Sequence, residues 1–388
     1  MMKYRKNKRW SLLMLFLLLP VLLCACLSEE LPGDARTEGS EESVVLDDGT
    51  EDNRREETSP AEPMELHFID VGQGDSTLII NGKHAMMIDS GDNAHGVALQ
   101  LYLQKLGIKQ LDYMVLTHPD SDHIGGADVL LYKLEVKKVL MEDDRKENDT
   151  YRDVLDALEY RDLSYEVPKP GEIYELGDAR FTIVAPNNSY ENVNNHSIAL
   201  VLEKGDKRFL FTGDCEEAAE TDMLENGLDL TADVYHVAHH GTRYASSADF
   251  LDRVKPAAAV LSCAMGNEYG YPHQGALNRL RERDICLYRT DEQGSIVATC
   301  DGKEIIWSVP ASETWQGGED RRNSVKVTAP EVEPDSGICI VNKKSGTIHS
   351  ADCESLPALS NQVVFSTVEE AEDAGYHKLC GYCILEKE

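Results

Sequence analysis

The distribution of hydrophobic and polar positions separates a folded central stretch from polar flanks. Between residues 64 and 308, short apolar runs alternate with turns and with longer amphipathic segments. Residues 65–71 and 76–80 have strand-like patterns, and residues 94–106 and 150–160 have the spacing of helices with one apolar side. The pattern therefore predicts one large domain of strands and helices over 64–308.

The flanking stretches differ in composition. Residues 27–63 and 309–336 are rich in acidic residues, Ser and Pro and have few apolar clusters, which predicts two flexible linkers. Residues 1–26 begin with basic residues, continue with an apolar run and end at Cys26 in a sequence that resembles a bacterial lipoprotein box. We expect a lipoprotein signal peptide lipidated at Cys26; a plain membrane anchor or a conventionally cleaved signal is the alternative. Either way, the rest of the chain would be extracytoplasmic.

The net charge of the chain limits the classes of partner that it is expected to bind. The formal net charge is −32 over 388 residues, and the acidity extends through the central domain. This counts against tight nucleic-acid binding driven by Lys and Arg, because such binding depends on neutralising phosphates. Bound metal ions would offset part of the negative charge locally.

Candidate metal ligands are concentrated in one loop. Residues 117–123 carry two histidines and two aspartates directly after the apolar run 113–116, and two glycines follow at 125 and 126. Imidazole nitrogens and carboxylate oxygens are the usual ligands of zinc and other divalent metals. The pattern predicts a metal site where a strand ends.

This loop resembles the metal-binding motif of the metallo-β-lactamase superfamily, in the variant of the extracellular hydrolase domain of ComEC-type DNA-uptake proteins. The resemblance extends over 64–308 and implies an α/β fold, the αββα sandwich. His118 matches the first histidine of the motif, and Asp122 and His123 match its final Asp-His pair. Asp120 replaces the usual second histidine. The site therefore has more oxygen ligands, so manganese or magnesium is a candidate metal as well as zinc.

Later motifs supply the remaining ligands that the resemblance implies. Asp214 would bridge two metals, and His240, or alternatively His239, would complete the second position. At the third motif His196 is one candidate, with Asn195 and Ser197 as the others. Asp89 would hold the loop without binding metal.

The resemblance also implies a mechanism. Two divalent metal ions, zinc or manganese, would activate water for attack on a phosphodiester, with Asp122 and Asp214 as catalytic ligands and His273 assisting the leaving group. The substrate would be DNA or another phosphodiester. A hydrolase of small esters, lactones or β-lactams is one alternative, and a non-catalytic lipoprotein that binds DNA through its C-terminal module is another. The chain lacks the ComEC channel helices, so a separate DNA-uptake channel is a possible partner.

Residues 337–388 predict a small C-terminal module. The spacing of His349, Cys353, Cys380 and Cys383 is that of a tetrahedral metal site. A module of this size needs a metal or a covalent cross-link, because its hydrophobic core is too small to stabilise it alone. The module resembles the metal-binding domain of Ada-type DNA-repair proteins, in which cysteine commonly takes the first position. Disulfides are the alternative outside the cell, with Cys339 as a further partner.

Overall fold

The computed structural model describes residues 62–143, 148–321, 339–350, 353, 356–357 and 361–380. The predicted signal peptide with Cys26, nearly all of the first linker, most of the second linker and Cys383 lie outside these residues. Within them, two large sheets and their helices form the central domain, and a third, smaller sheet forms the C-terminal module.

The first large sheet has eight strands in the spatial order β15-β14-β1-β2-β3-β4-β5-β6. Their bounds are β1 Met64–Phe68, β2 Thr77–Asn81, β3 His84–Ile88, β4 Gln110–Leu116, β5 Glu135–Met141, β6 Tyr165–Glu166, β14 Ile296–Cys300 and β15 Ile305–Trp307. The run from β3 to β6 is parallel, whereas β1 pairs antiparallel with both neighbours. Strands from both ends of the domain sequence therefore meet in one sheet.

The second large sheet has seven strands in the order β13-β12-β11-β10-β9-β8-β7. Their bounds are β7 Ile173–Leu176, β8 Ala179–Ala185, β9 Ala199–Lys204, β10 Lys207–Phe211, β11 Val234–His236, β12 Ala258–Leu261 and β13 Cys286–Arg289. From β10 to β13 the strands are parallel. Each large sheet thus contains a parallel part in which the carboxyl ends of neighbouring strands share one edge.

Helices cover the outer face of each large sheet. The helices of the domain are α1 Gly96–Lys105, α2 Ser121–Ile124, α3 Ala127–Lys133, α4 Asp149–Tyr160, α5 Glu217–Glu225, α6 Ala248–Val254, α7 Gln274–Arg281 and α8 Thr290–Gln293. Buried residues of α1, α3 and α4 share one apolar cluster with the first sheet, and those of α5, α6 and α7 share another with the second sheet. This layering confirms the predicted αββα sandwich.

A third apolar cluster lies between the two sheets, and β10 shows how the sequence builds it. Side chains alternate across a strand, so Phe209 and Phe211 pack between the sheets while Leu210 packs under the helices. All three are buried, because the last three positions of β10 are covered on both faces of the sheet and are therefore all apolar. Phe211 and Phe68 stack across the interface with ring centroids 6.2 Å apart.

The predicted start of the second linker differs from the structure. The sequence predicts a linker from residue 309, but Val309 and Ala311 pack on the core between the sheets, and Trp315 packs on the outer cluster. The backbone N–H of Ser312 also donates to the carbonyl of Leu287 at 2.7 Å. Scattered apolar residues in a Pro- and Glu-rich segment have no periodicity, so only the tertiary contacts reveal that this segment is packed.

The C-terminal module has a four-stranded sheet in the order β18-β16-β17-β19, with β16 Cys339–Asn342, β17 Thr347–Ser350, β18 Gln362–Phe365 and β19 Lys378–Leu379, and one helix, α9 Val368–Asp373. It packs on the outer helices of the first sheet. Ile340 and Val364 contact Val97 of α1, and the Lys133 ammonium of α3 lies 2.8 Å from the Glu370 carboxylate.

Candidate metal centre

Loops from both large sheets meet at one edge of the sandwich. In the first sheet, the parallel register pairs Ile88 with Val115, so the loops after β3 and β4 leave the sheet side by side. In the second sheet, Phe211 pairs with His236, so the loops after β10 and β11 also leave the sheet side by side. The candidate ligands of four sequence motifs are therefore brought together by strand register.

Asp214 lies at the middle of the cluster, and its two carboxylate oxygens face different histidines. Oδ1 is 3.2 Å from His123 Nε2 and 3.7 Å from His240 Nε2. Oδ2 is 3.5 Å from His239 Nε2 and 3.8 Å from His118 Nε2. A carboxylate placed in this way is suited to bridge two cations.

The donor atoms can be divided by the Asp214 oxygen that they face. The first ligand group consists of His118, His239 and Asp214 Oδ2. Within it, His239 has other close partners, because its Nε2 also lies 3.1 Å from the Tyr271 hydroxyl and its Nδ1 lies 3.1 Å from Glu216 Oε1. The second consists of Asp122, His123, His240 and Asp214 Oδ1, and in it His240 Nε2 lies 3.4 Å from Asp122 Oδ2. Asp120 is partly exposed beside the first group. Burial and the neighbouring His123 lower the pKa of His118, and the charges of Asp214 and Asp120 only partly oppose this shift.

Two observations show that these residues fit divalent metals. His118 Nε2, His123 Nε2, His240 Nε2 and Asp214 Oδ1 are buried and have no hydrogen-bond partner among the described residues. Buried polar atoms without partners are costly, so such atoms converging on one space indicate a ligand. Moreover, donors about 2.0–2.1 Å from a tetrahedral zinc would be roughly 3.4 Å apart. The separations within the second ligand group run from 3.2 to 3.7 Å.

Electrostatics keep the carboxylates ionised. Burial alone would raise the pKa of Asp214, but His239, His123 and His240 hold it well below its ordinary value. Burial likewise opposes the charged form of His123, yet the carboxylates of Asp214 and Asp89 raise the pKa of this imidazole well above its ordinary value. Without metal, protons on imidazole therefore balance the carboxylates, and a bound cation would take over this charge.

Unusual backbone conformations aim the adjacent His239 and His240 at different oxygens of Asp214. Both residues have left-handed conformations, with φ of 48° and 52°. Such conformations are unfavourable outside glycine, and strain of this kind is concentrated at functional sites. The result is that the two imidazole planes cross at 81° with centroids 6.0 Å apart. The sequence left His239 and His240 as alternatives; the structure places both against Asp214, one in each ligand group.

Asp89 supports the cluster from behind, as the resemblance implied. Its carboxylate accepts from Thr117 N at 2.8 Å and from Thr117 Oγ1 at 2.7 Å. Asp89 Oδ2 also lies 2.8 Å from Nδ1 of His123, the ring nitrogen opposite the one that faces Asp214. Since an ionised carboxylate only accepts hydrogen bonds, Nδ1 must carry the proton, which leaves Nε2 for a metal.

Sequence reasoning missed the residues behind His240. The Nδ1 of His240 lies 3.0 Å from the carbonyl oxygen of Ser262, which is the acceptor for its proton, and a buried carboxylate lies beside the same nitrogen. Asp75 is buried, and its Oδ1 lies 3.4 Å from His240 Nδ1. Asp75 follows two glycines, Gly72 and Gly74, in the connection between β1 and β2. A Cβ on Gly74 would lie 2.1 Å from the carbonyl oxygen of Asp122, so only glycine allows this approach to the metal loop.

The third motif contributes differently from the His196 prediction. His196 Nε2 lies 2.6 Å from Tyr190 N and 3.0 Å from Tyr190 O, outside both ligand groups, because the short 3₁₀ turn Val193–His196 directs the ring towards Tyr190. Ser197 instead places its Oγ 3.3 Å from His118 Nδ1 and accepts from Asp214 N at 3.1 Å. Asn195 accepts from Glu216 N at 2.8 Å. This corner positions ligands and adds none of its own.

His273 lies behind a tyrosine that reaches the first ligand group. Its Nδ1 accepts from the Arg243 backbone N–H at 3.0 Å, and its ring packs edge-on against Tyr271 with centroids 5.1 Å apart. The Tyr271 hydroxyl is 3.1 Å from His239 Nε2. Burial and the Asp214 carboxylate raise the pKa of Tyr271 to about 12, so this hydroxyl keeps its proton. Tyr271 stands where the resembled family has histidine, and sequence reasoning did not assign it a role.

In the C-terminal module, three of the four predicted ligands come together. His349 Nδ1 lies 3.4 Å from Cys353 Sγ, which lies 3.9 Å from Cys380 Sγ, and all three residues are buried. A disulfide would bring the two sulfurs to about 2.05 Å, whereas two thiolates on a tetrahedral zinc would be roughly 3.8 Å apart. The spacing of these residues fits a metal; Cys383 lies outside the described residues.

Comparisons with known proteins agree with this architecture. The pattern of the metallo-beta-lactamase superfamily matches residues 69–264. ComE operon protein 3 of Bacillus subtilis is 31% identical over 252 residues, which cover 60% of this chain and 32% of the relative. Competence protein ComA of Neisseria gonorrhoeae is 28% identical over 248 residues, covering 62% and 33%. The chain thus spans about a third of the length of the curated relatives it matches.

Among solved structures, Igni18, a metallo hydrolase from Ignicoccus hospitalis, aligns with a TM-score of 0.42 at 14% identity, covering 63% of this chain and 99% of that protein. YhfI from Bacillus subtilis, described as a metallo-beta-lactamase fold protein, aligns with a TM-score of 0.39 at 14% identity, covering 59% and 96%. Across the described residues, the helices are too short or too polar to cross a membrane.

Proposed function

The chain belongs to the metallo-beta-lactamase superfamily, and we propose on that basis that it is an extracytoplasmic, metal-dependent phosphodiesterase that cleaves DNA. The observation that carries the proposal is the position of Asp214 between two ligand groups, with one oxygen towards each. Two divalent cations held there, zinc or manganese, would supply Lewis-acid activation of water and stabilise negative charge on phosphate oxygens.

The chain's own residues divide the remaining work. Asp122, His123 and His240 would hold one cation, and His118 and His239, with Asp120 nearby, would hold the other. Asp89, Ser197 and the carbonyl of Ser262 fix the orientation of the imidazoles, because each contacts the ring nitrogen that faces away from the metal.

The hydroxyl of Tyr271 is a protonated donor beside the first ligand group, 3.1 Å from His239 Nε2. It is placed to hydrogen-bond to an oxygen of a bound phosphodiester. His273 contacts the Tyr271 ring and the Arg243 backbone, so it would position this loop. The leaving-group role that the resemblance implied for His273 thus has a second candidate in Tyr271.

DNA is the proposed substrate because the sequence resembles the hydrolase domain of DNA-uptake proteins, and because one of the relatives named above is a competence protein by name. The acidity of the chain favours the alternative of a small ester or lactone, since a net charge of −32 repels polyanions. Cations at the two ligand groups would offset that repulsion at the site itself.

The test is hydrolysis of single- and double-stranded DNA by residues 62–388, with zinc or manganese restored after chelation. Asp122→Ala His123→Ala removes two ligands, and His196→Ala is the matched control, because its histidine lies outside both ligand groups. Metal-dependent cleavage that is lost in the double variant and kept in the control would support the proposal. Turnover of a lactone but not of DNA under either metal would overturn it.

We further propose that His349, Cys353, Cys380 and Cys383 bind one structural zinc, and that Cys26 anchors the chain to the membrane, where a separate DNA-uptake channel would be its partner. The grouping of the buried His349, Cys353 and Cys380 supports the proposed zinc site. The zinc content of the purified chain should fall by one equivalent in Cys353→Ser, and an unchanged content would exclude the site.

The membrane anchor is tested by labelling the full chain with a fatty-acid analogue. The label should be lost in Cys26→Ser.

A further inference from the structure

An exposed tyrosine stands beside the second ligand group. Tyr269 is 53% exposed, one of the most exposed large side chains with an apolar body among the described residues. It lines a cavity of about 450 Å³ whose wall also includes Asp122 of the second ligand group. The cavity therefore opens directly onto the candidate metal centre and has an aromatic face in its wall.

The Tyr269 ring is fixed in place. It stacks on Tyr271 with centroids 5.4 Å apart and planes 14° from parallel. Asn267 closes the loop beneath them: its side-chain amide donates to Ala264 O and Tyr271 O, each at 2.8 Å, and accepts from Tyr271 N at 2.9 Å. A rigid, exposed aromatic face loses little conformational entropy when a flat ligand stacks on it.

Gln73 lines the same cavity. Its Oε1 accepts from the Ala264 backbone N–H at 3.4 Å, a long hydrogen bond. Its Nε2 is closed off from solvent and has no hydrogen-bond partner in the part of the chain that the structure describes. A turn of this amide towards the cavity would give the donor an acceptor on a ligand, which would offset the cost of leaving it unpaired.

The charges around the cavity show which part of a nucleotide would enter it. Asp92, Asp122 and Glu268 line the wall, so a phosphate placed away from the metals would be repelled. A nucleobase is uncharged, offers a flat face for stacking, carries carbonyl acceptors for Gln73 and has N–H groups that carboxylates accept. The phosphate belongs at the metals and the base in the cavity.

We propose that this cavity is a base-binding subsite for the nucleotide next to the scissile phosphate, with the base stacked on Tyr269 and its carbonyl accepting from Gln73. The base must leave a double helix to stack in this way, so the subsite selects single-stranded DNA or frayed ends. This inference rests on the proposed phosphodiesterase function and names the substrate form that the site takes.

The experiment compares Tyr269→Ala with Tyr244→Ala, a tyrosine that is 63% exposed and does not line the cavity. Substrates are a single-stranded oligonucleotide and a set in which one base at a time is replaced by an abasic residue. Loss of one stacked base is expected to weaken binding about 5- to 100-fold. Tyr269→Ala should therefore raise KM by that factor on the intact strand, with Tyr244→Ala unchanged. On the strand that is abasic at the matching position, Tyr269→Ala and the unmodified chain should have equal KM.

A second readout does not depend on turnover. Strands carrying 5-iodouracil should photocrosslink to Tyr269, and Gln73→Ala should lower the yield, while metal affinity measured by calorimetry stays unchanged in both variants. The subsite is overturned if DNA is cleaved normally by Tyr269→Ala, or if the abasic strand remains sensitive to this substitution. If DNA is not cleaved at all and a lactone is, the proposed function fails as well, so the two failures are distinguishable.

Discussion

The clearest test of how the cluster is organised is Asp89→Asn. The Asp89 side chain is 1% exposed, touches no solvent-facing group and accepts from Thr117 N, Thr117 Oγ1 and His123 Nδ1. Asparagine has nearly the same shape but replaces one acceptor oxygen with a donor NH₂. If the remaining oxygen keeps the Thr117 N–H, the new NH₂ faces Nδ1 of His123.

Two donors cannot share that contact, so the His123 proton is expected to move to Nε2. Nε2 is the nitrogen that faces Asp214 Oδ1, and a protonated Nε2 cannot bind metal. Changes to such supporting residues cost about 10- to 100-fold in metal affinity, or ~1.4–2.8 kcal/mol. At saturating metal, the extra stability that the metal confers should fall by that amount, which is roughly 3–10 °C in Tm for a domain of this size.

The assay is calorimetric titration with zinc and with manganese, together with melting curves of the metal-free and metal-loaded chain. Asp112→Asn is the matched control, because Asp112 also contacts a histidine, His84, at 3.1 Å and accepts from a backbone N–H, that of Ala85, at 3.1 Å. Its loss should lower both Tm values alike and leave metal affinity unchanged. If Asp89→Asn binds metal within about threefold of the unmodified chain, the assignment of Asp89 as the residue that fixes the His123 tautomer is refuted.

Four further outcomes are expected. His239→Ala should weaken the binding of one of the two metal ions, and His240→Ala should weaken the binding of the other. His196→Ala should leave both affinities unchanged. Calorimetry that resolves two binding steps measures the two affinities separately. Burial opposes the charged form of His240, but Asp214 and other carboxylates raise its pKa well above the ordinary value, so metal must displace its proton. Metal affinity should therefore rise with pH, with protons released in titrations at pH 6, 7 and 8; a pH-independent affinity would contradict this sign. Lys133→Met removes the ion pair to Glu370 and the cation over the Phe365 ring at 3.5 Å, which should cost about 1–2 kcal/mol and make the C-terminal module more accessible to protease, whereas Lys138→Met should not. A strong chelator should lower the Tm of the unmodified chain more than that of Asp214→Asn, and equal shifts would show that the stabilising metal is bound elsewhere.

Much of this protein could be read from its sequence, because local patterns carry that information. The continuous apolar run at the end of β10 reflects burial on both faces, and each metal motif follows an apolar run that ends as a strand. Residues 117–123 supply the predicted ligands His118, Asp122 and His123 from one short loop. The spacing of His349 and Cys353 likewise predicted a cluster that Cys380 joins in the structure.

Other features depended on distances between residues that are far apart in sequence. Nothing local indicates that Asp75 lies behind His240, or that His239 and His240 face different oxygens of Asp214. At the third motif the sequence left His196, Asn195 and Ser197 as candidates, and a 3₁₀ turn directs His196 to Tyr190. Ser197 makes the contact with His118 instead.

The features that the sequence predicts and those that it does not predict differ for one physical reason. Burial periodicity and ligand type are properties of a single segment, so the sequence by itself determined the strands, the helices and the chemistry of the candidate site. The choice of which oxygen faces which imidazole depends on strand register across two sheets and on left-handed backbone at residues 239 and 240. Those conformations are unfavourable locally and persist only because the packed sandwich holds both sides of the site, so only the tertiary structure could decide them.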